Sequence, residues 1–156
     1  MPSAATPSHE CTVFFLPGLG LDASAVSAIA AAADARLRIV AVDLLDRGRA
    51  ASVDDLADTA LERIAAAADG GPFLVCGHSL GGKVAGRVMA RVLAGTEPVF
   101  GLAGAVLLAP SPPTPEPMPD PKRAEMLETA QGDHLSREDA AAFIAANVAA
   151  PLAADL

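Results

Sequence analysis

The sequence predicts an α/β fold, a parallel sheet with helices on both faces. Three observations predict it. Short runs of β-formers at Cys11–Leu16, Arg38–Val42, Phe73–Cys76 and Gly101–Ala109 alternate with segments of helical spacing. The last run is apolar throughout, the pattern of a strand covered on both faces. The third run passes into a helix through Gly77-His78-Ser79-Leu80-Gly81-Gly82, a turn that carries a serine at its apex between glycines. Strands and helices alternating at this spacing close parallel pairs through helical crossovers.

At 156 residues the chain is one domain, long enough for a core. Hydrophobic residues make up 52% but aromatics only 3%, so the core must be built from Ala, Val, Leu and Ile. The net charge of −8 and the lack of any basic run argue against nucleic acid and against an anionic membrane surface as partners. Val99–Ala109, the longest apolar run, is too short and glycine-rich to span a bilayer. Residues 1–10 show no basic region followed by an apolar stretch, so no secretory signal is read there. The expectation is a soluble, cytoplasmic protein. Cys11 and Cys76 both sit in strand-like runs and are read as buried free thiols.

Taken in order, residues 1–10 form a loose N-terminal tail and residues 11–110 the α/β core. The first strand ends at Pro17-Gly18-Leu19-Gly20, and Asp22 or Ser24 caps an Ala-rich helix to about Ala33. The second strand delivers Asp43 and leads into a polar loop, Leu44–Ser52. Ser52 or Asp54 starts a helix to about Ala68 with Val53, Leu56, Ala60, Leu61 and Ile64 on one face, stopped by Gly70-Gly71-Pro72. After the elbow a helix runs over Lys83–Ala94. Residues 111–156 differ in character. Pro110–Pro121 holds seven prolines in twelve residues and reads as a stiff connector, excluding helix and central strand. Lys122–Gln131 and Ser136–Val148 then look helical, the second with Ser136 as N-cap and Asp139 three residues on.

Three stretches, in order, resemble the α/β-hydrolase superfamily. Pro17-Gly18-Leu19-Gly20 looks like its oxyanion loop, with Pro17 where a His is common. Asp43-Leu44-Leu45-Asp46-Arg47-Gly48 looks like its Asp-Leu-Pro-Gly-x-Gly loop, and Gly77-His78-Ser79-Leu80-Gly81-Gly82 matches its nucleophile elbow. The resemblance implies Ser79 as nucleophile, Gly77 and Gly81 as elbow glycines, and the backbone N–H groups of Leu80 and Leu19 as the oxyanion hole. It implies a small carboxylic ester or related acyl compound as substrate, an acyl-serine intermediate, and no metal or cofactor. By position, the proline-rich segment and the two last helices would be a cap. Met118, Met126, Leu127 and Phe143 are more simply packing between cap and core than an acyl pocket.

The family's order is Ser, then Asp or Glu, then His, and the sequence has no strands after the fourth to carry the last two. His9 is in the tail, His78 is expected to pack away from the hydroxyl, and His134 reads as a loop histidine. The expectation is therefore the front part of a longer hydrolase, or a truncated and impaired one. It follows that Gly101–Ala109 has an exposed apolar edge through which copies of the chain can associate. Three rival readings compete with this one. Gly18-Leu19-Gly20-Leu21-Asp22-Ala23 with Asp43 fits a dinucleotide fingerprint, but Pro17 breaks it and the elbow goes unexplained. Gly77-x4-Gly82-Lys83 fits a P-loop, but Val84 stands where Ser or Thr should hold magnesium. A non-catalytic or partner-completed half-domain accounts for the missing acid and base.

Overall fold

The computed structural model describes residues 9–21, 23–44, 52–115, 117–131 and 136–147. Four strands form one sheet: β1 Cys11–Leu16, β2 Leu37–Ala41, β3 Phe73–His78 and β4 Leu102–Leu108. Their order is β2-β1-β3-β4 and every pairing is parallel. Helices α1 Ser27–Ala32, α2 Val53–Ala67 and α3 Leu80–Leu93 make the crossovers. This is an α/β fold with a parallel sheet and helices, as the alternation of patterns predicts.

The direction of the crossovers places the helices. From β1 the chain steps to β2 on one side; from β2 it passes back over β1 to β3 and on to β4. Right-handed connections then put the first crossover on one face and the next two on the other. Burial agrees. Phe14, Leu16, Phe73 and Val75 pack with Leu56, Ala60, Ile64, Val84 and Val88 in the main core. Val13, Phe15 and Cys76 face the other way, against Val26. The Phe14 and Phe73 rings meet edge to face at 5.5 Å in the middle of the main core. Each fully buried side chain there contributes about 1.5–3 kcal/mol.

Local chemistry explains the element ends. Ser52 caps α2 in a reciprocal box: its Oγ accepts from Asp55 N at 3.1 Å and Asp55 Oδ2 accepts from Ser52 N at 2.9 Å. The chain enters α1 through a 3-10 turn, Ala23–Val26, so the residue before the helix is Val26, whose apolar side chain makes no cap bond. Of the two expected caps, Ser24 stands inside the 3-10 turn and Asp22 lies outside the described residues. α1 buries none of its own residues. Cys11 and Cys76 are both free thiols. They lie on one face of neighbouring strands, but Cys76 pairs with Phe15, four residues along from Cys11. That is about 13 Å of strand, beyond a disulfide's reach. Burial pushes the Cys76 thiol above its ordinary pKa.

The chain divides into two units, Met1–Pro115 and Glu116–Leu156. The second contains α4 Asp120–Gln131 and α5 Arg137–Asn147. Pro121 lies inside α4 rather than ahead of it, because a first-turn residue needs no N–H partner. Ser136 caps α5, accepting from Asp139 N at 3.0 Å and donating to its carboxylate at 2.6 Å.

Two features give measurable consequences. α2 and α3 run side by side in the same direction, with Asp54 facing Arg87 and Asp58 facing Arg91 one turn later. Arg91 is three-quarters buried and also holds Glu97, and these carboxylates keep its guanidinium firmly protonated. Arg91→Met is expected to lower the urea-unfolding free energy by about 1–2 kcal/mol. Arg87→Met, on a pair more than half exposed, is expected to shift it by less than about 0.5 kcal/mol. β4 is an edge strand without a single charged residue, and Val106, Leu107 and Leu108 are each at least 40% exposed. Such an edge is a template for pairing. Sedimentation of the 156-residue chain beside Val106→Lys tests whether this edge pairs: weaker association in the variant is the expected outcome, and a wild type that stays monomeric at high concentration would mean that the edge does not pair.

Candidate active site

In a sheet whose crossovers reverse direction, the carboxyl ends of the two strands at the reversal leave a crevice between their loops. Here those strands are β1 and β3, so the crevice lies between Pro17–Gly20 and the residue after His78. That residue is Ser79. β3 stops at His78 and α3 starts at Leu80, so Ser79 alone makes the turn from strand to helix.

It does so at φ 52° and ψ −118°, a conformation that L-residues rarely adopt. Such a residue costs about 1–3 kcal/mol and persists only where its surroundings enforce it. The enforcement is visible. Ser79 N–H donates to Leu108 O at 3.1 Å, and its carbonyl accepts from Gly82 at 2.9 Å, Lys83 at 3.3 Å and Ser111 at 2.9 Å. The comparison with Ser52 is instructive. Ser52 starts α2 from φ −83° and ψ 163° and uses its hydroxyl as the cap. Ser79 starts α3 with its backbone turned over and its hydroxyl makes no cap bond. The strain leaves Oγ free for chemistry.

Close backbone contact explains the glycines. A Cβ on Gly77 would stand 2.3 Å from Gly81 O, and one on Gly81 would stand 2.0 Å from Leu16 O. The end of β1, the end of β3 and the first turn of α3 thus meet backbone to backbone. On the β1 side, a Cβ at Gly18 would lie 3.2 Å from Ser79 Cβ and 2.9 Å from His78 Nδ1. The Pro17–Gly20 loop is therefore packed against the elbow, and the His78 ring lies over Gly18. Leu19 follows with its side chain 66% exposed. The N–H groups of Leu19 and Leu80 donate to no acceptor among the described residues, and Leu80, as the first residue of α3, has no partner within the helix.

The other candidate residues are distributed as follows. His9 precedes β1, at the opposite end of the sheet from Ser79, and its Nδ1 donates to Ala35 O at 3.2 Å. Asp43 follows β2 and is exposed; the remainder of its loop, 45–51, is outside the described residues, as are His134 and the side chains of Met126, Leu127 and Phe143. Among the described residues no cluster of ligating side chains could hold a metal, and no helix is long and apolar enough to cross a membrane. A cleft of about 270 Å3 lies by Asp58, Glu62, Arg91, Glu97 and Val99, but Arg91 is taken up by Asp58 and Glu97 and the cleft is at the amino-terminal end of the strands, away from Ser79. The sequence reading missed the contribution of Leu108 and Ser111. The signal available was Pro110, which directly follows a strand and cannot extend its ladder.

The strain at Ser79 is open to measurement without any assay of chemistry. Glycine accepts this backbone conformation and alanine does not. Ser79→Gly is expected to be about 1 kcal/mol more stable than Ser79→Ala in urea unfolding; equal stabilities would mean that the turn is unstrained.

Comparison with known proteins follows the same geometry. A model of the alpha/beta hydrolase family matches residues 13–155. A search of curated proteins finds no match. Among solved structures, the chain is similar to ClbQ from the colibactin NRPS/PKS pathway, at TM-score 0.62 and 17% identity, covering 83% of this chain and 60% of that one. It is similar to the type II thioesterase BorB from the borrelidin biosynthetic cluster, at TM-score 0.59 and 20% identity, covering 81% and 59%. It is also similar to RedJ, solved with a PEG molecule in its active site, at TM-score 0.53 and 20% identity, covering 69% and 47%. At these identities the likeness is one of fold, and the chain spans about 60% of the length of the first two. The dinucleotide and P-loop alternatives fall away, because one family accounts for the elbow, the loop after β1 and the sheet together: the chain belongs to the alpha/beta hydrolase family.

Proposed function

We propose that the protein is a serine hydrolase that cleaves a small carboxylic ester, thioester or related acyl substrate through an acyl-Ser79 intermediate. The observation that carries this reading is the backbone of Ser79, held at φ 52° with its hydroxyl uncommitted at the crevice between β1 and β3. In this reading Ser79 Oγ attacks the acyl carbonyl, its proton passes to a base, and the alcohol or thiol leaves protonated. Water then hydrolyses the acyl-serine. The negative charge on the carbonyl oxygen is met by the N–H groups of Leu80 and Leu19, which are otherwise unspent, and one such donor is worth roughly 10²–10³ in rate. Gly77 and Gly81 keep the approach open. The chemistry calls for no metal or cofactor. The likeness to a type II thioesterase adds thioesters to the substrates worth assaying. Two free thiols suit a reducing, cytoplasmic setting.

A second reading has its own observation. Among the described residues Ser79 Oγ makes no hydrogen bond to a base: the His78 ring lies over Gly18 and His9 is at the far end of the sheet. The chain would then be a half-domain completed by further polypeptide. One assay addresses both. Wild type and Ser79→Ala are compared on p-nitrophenyl butyrate and on a butyryl thioester, with the released phenol or thiol followed by absorbance. The expected result is slow turnover by wild type, reduced about 10³-fold or more in Ser79→Ala. Equal turnover by both proteins would remove Ser79 from the chemistry. Folded protein without any turnover would support the half-domain.

A further inference from the structure

The exit of β4 reaches further into the elbow than a connector need do. In a parallel ladder every second residue of a strand bonds to a given neighbour, donating its N–H to the residue before its partner and accepting from the residue after it; Phe73 and Ser79 are in that phase toward β4. His78 pairs with Leu108, so Ser79 stands opposite Ala109. Its N–H goes to Leu108 O at 3.1 Å, as the ladder requires. The next bond should come from residue 110, which is proline and has no N–H. The chain resolves the deficit with one extra residue. Ala109 takes φ 41°, the only non-glycine residue besides Ser79 with a positive φ among those described, and the N–H of Ser111 arrives at Ser79 O at 2.9 Å. Pro110 meanwhile lies against Gly82 in the first turn of α3, where a Cβ would come within 2.6 Å of the proline Cβ.

From this juxtaposition we infer that Ala109–Ser111 is a positioning element for the nucleophile: the Ser111 N–H, delivered by the turn at Ala109, holds Ser79 in the conformation that frees its hydroxyl. The inference rests on the reading of Ser79 as nucleophile. The helix bonds from Gly82 and Lys83 do not suffice for this purpose, since a helix also starts well from an extended residue, as α2 does from Ser52. What distinguishes Ser79 is that β4 holds both of its backbone groups. Without the Ser111 bond, Ser79 relaxes toward the geometry of Ser52, and its hydroxyl turns inward to cap α3 instead of facing the crevice.

The test uses two pairs of variants in the 156-residue chain, read by amide exchange and by acyl hydrolysis. Ser111→Pro removes the N–H, whereas Ser111→Ala retains it. Ala109→Val disfavours a positive φ, whereas Ala109→Gly accepts it. In Ser111→Pro and Ala109→Val the Ser79 amide is expected to exchange about tenfold faster or more, with Val75 and Cys76 in mid-strand unchanged. In both, kcat is expected to fall about 10- to 100-fold below that of the paired variant, with KM within about twofold. Unchanged exchange at Ser79 in both variants would overturn the proposal. So would faster exchange with unchanged kcat, which would leave the segment a merely structural role. If the wild-type chain shows no turnover, the half-domain reading holds and the kinetic arm falls away; exchange at Ser79 alone then decides whether the segment holds it, and unchanged exchange overturns the proposal.

Discussion

The rest of this structure depends on a contact between three pieces of backbone. The carbonyls of Leu16 and Pro17 at the end of β1, Gly77 near the end of β3 and Gly81 in the first turn of α3 approach so closely that no side chain fits between them. A contact of this kind sets the angle at which α3 leaves the sheet and forces the whole change of direction onto one residue. Ser79 is strained because its neighbours are packed and because the backbone at the exit of β4 holds its N–H and its carbonyl. A cost of about 1–3 kcal/mol at one residue is small beside the burial of Phe14, Leu16, Phe73, Val75 and Ile64, each worth about 1.5–3 kcal/mol. The core on the α2–α3 face can therefore sustain an elbow that local preference would undo.

Composition shapes how that core is made. With so few aromatics, the fully buried Phe14 and Phe73 serve as its centre, and Ala57, Ala60 and Ala85 let the helices come close to the sheet and to each other. The two faces are unequal. One has α2 and α3 with their ion pairs, while the other has a short helix that buries nothing of its own and only four buried residues. Local opening is cheapest where few apolar contacts must be broken, so the α1 face is the weaker one. The loop of Pro17–Gly20 joins the two. Its Gly18 is buried under the elbow, whereas Leu19 and Leu21 are exposed at the mouth of the crevice. A buried anchor with an exposed tip suits a loop that must present an N–H at a fixed point while its side chains meet whatever enters.

What the sequence discloses and what it conceals follows from range. Each strand is a short run of β-formers, and each lies within one or two residues of where the pattern puts it. The elbow is equally local, since Gly77, Ser79 and Gly81 are near neighbours. Their steric partners are not. That Gly81 faces Leu16 O, or that Gly18 lies beneath His78, is settled by strand order. The proline-rich stretch shows the limit most clearly. Composition rightly marks Pro110 as the end of a strand, but only the register of β4 on β3 reveals that its missing N–H falls opposite Ser79. The start of α1 shows the same limit: the chain tightens into a 3-10 turn, Ala23–Val26, before the helix begins, and no local pattern separates the two.

In the proposed reaction two tasks of acyl transfer are separable. Orienting the serine and stabilising the oxyanion are properties of backbone, and here that backbone comes from the ends of β1, β3 and β4, the residues that directly follow them and the start of α3. Proton removal is a property of a side chain, and it can be supplied by residues that have no part in shaping the elbow. The strained turn is built by the same contacts that close the core, so it forms as soon as the sheet does and needs no base to exist. A scaffold of this kind holds its oxyanion donors in place before any substrate arrives, which is where electrostatic preorganisation is most effective. In the proposed reaction the base adds only the removal of the Ser79 proton, so the same fold can be a competent hydrolase or an idle one without any change at the elbow.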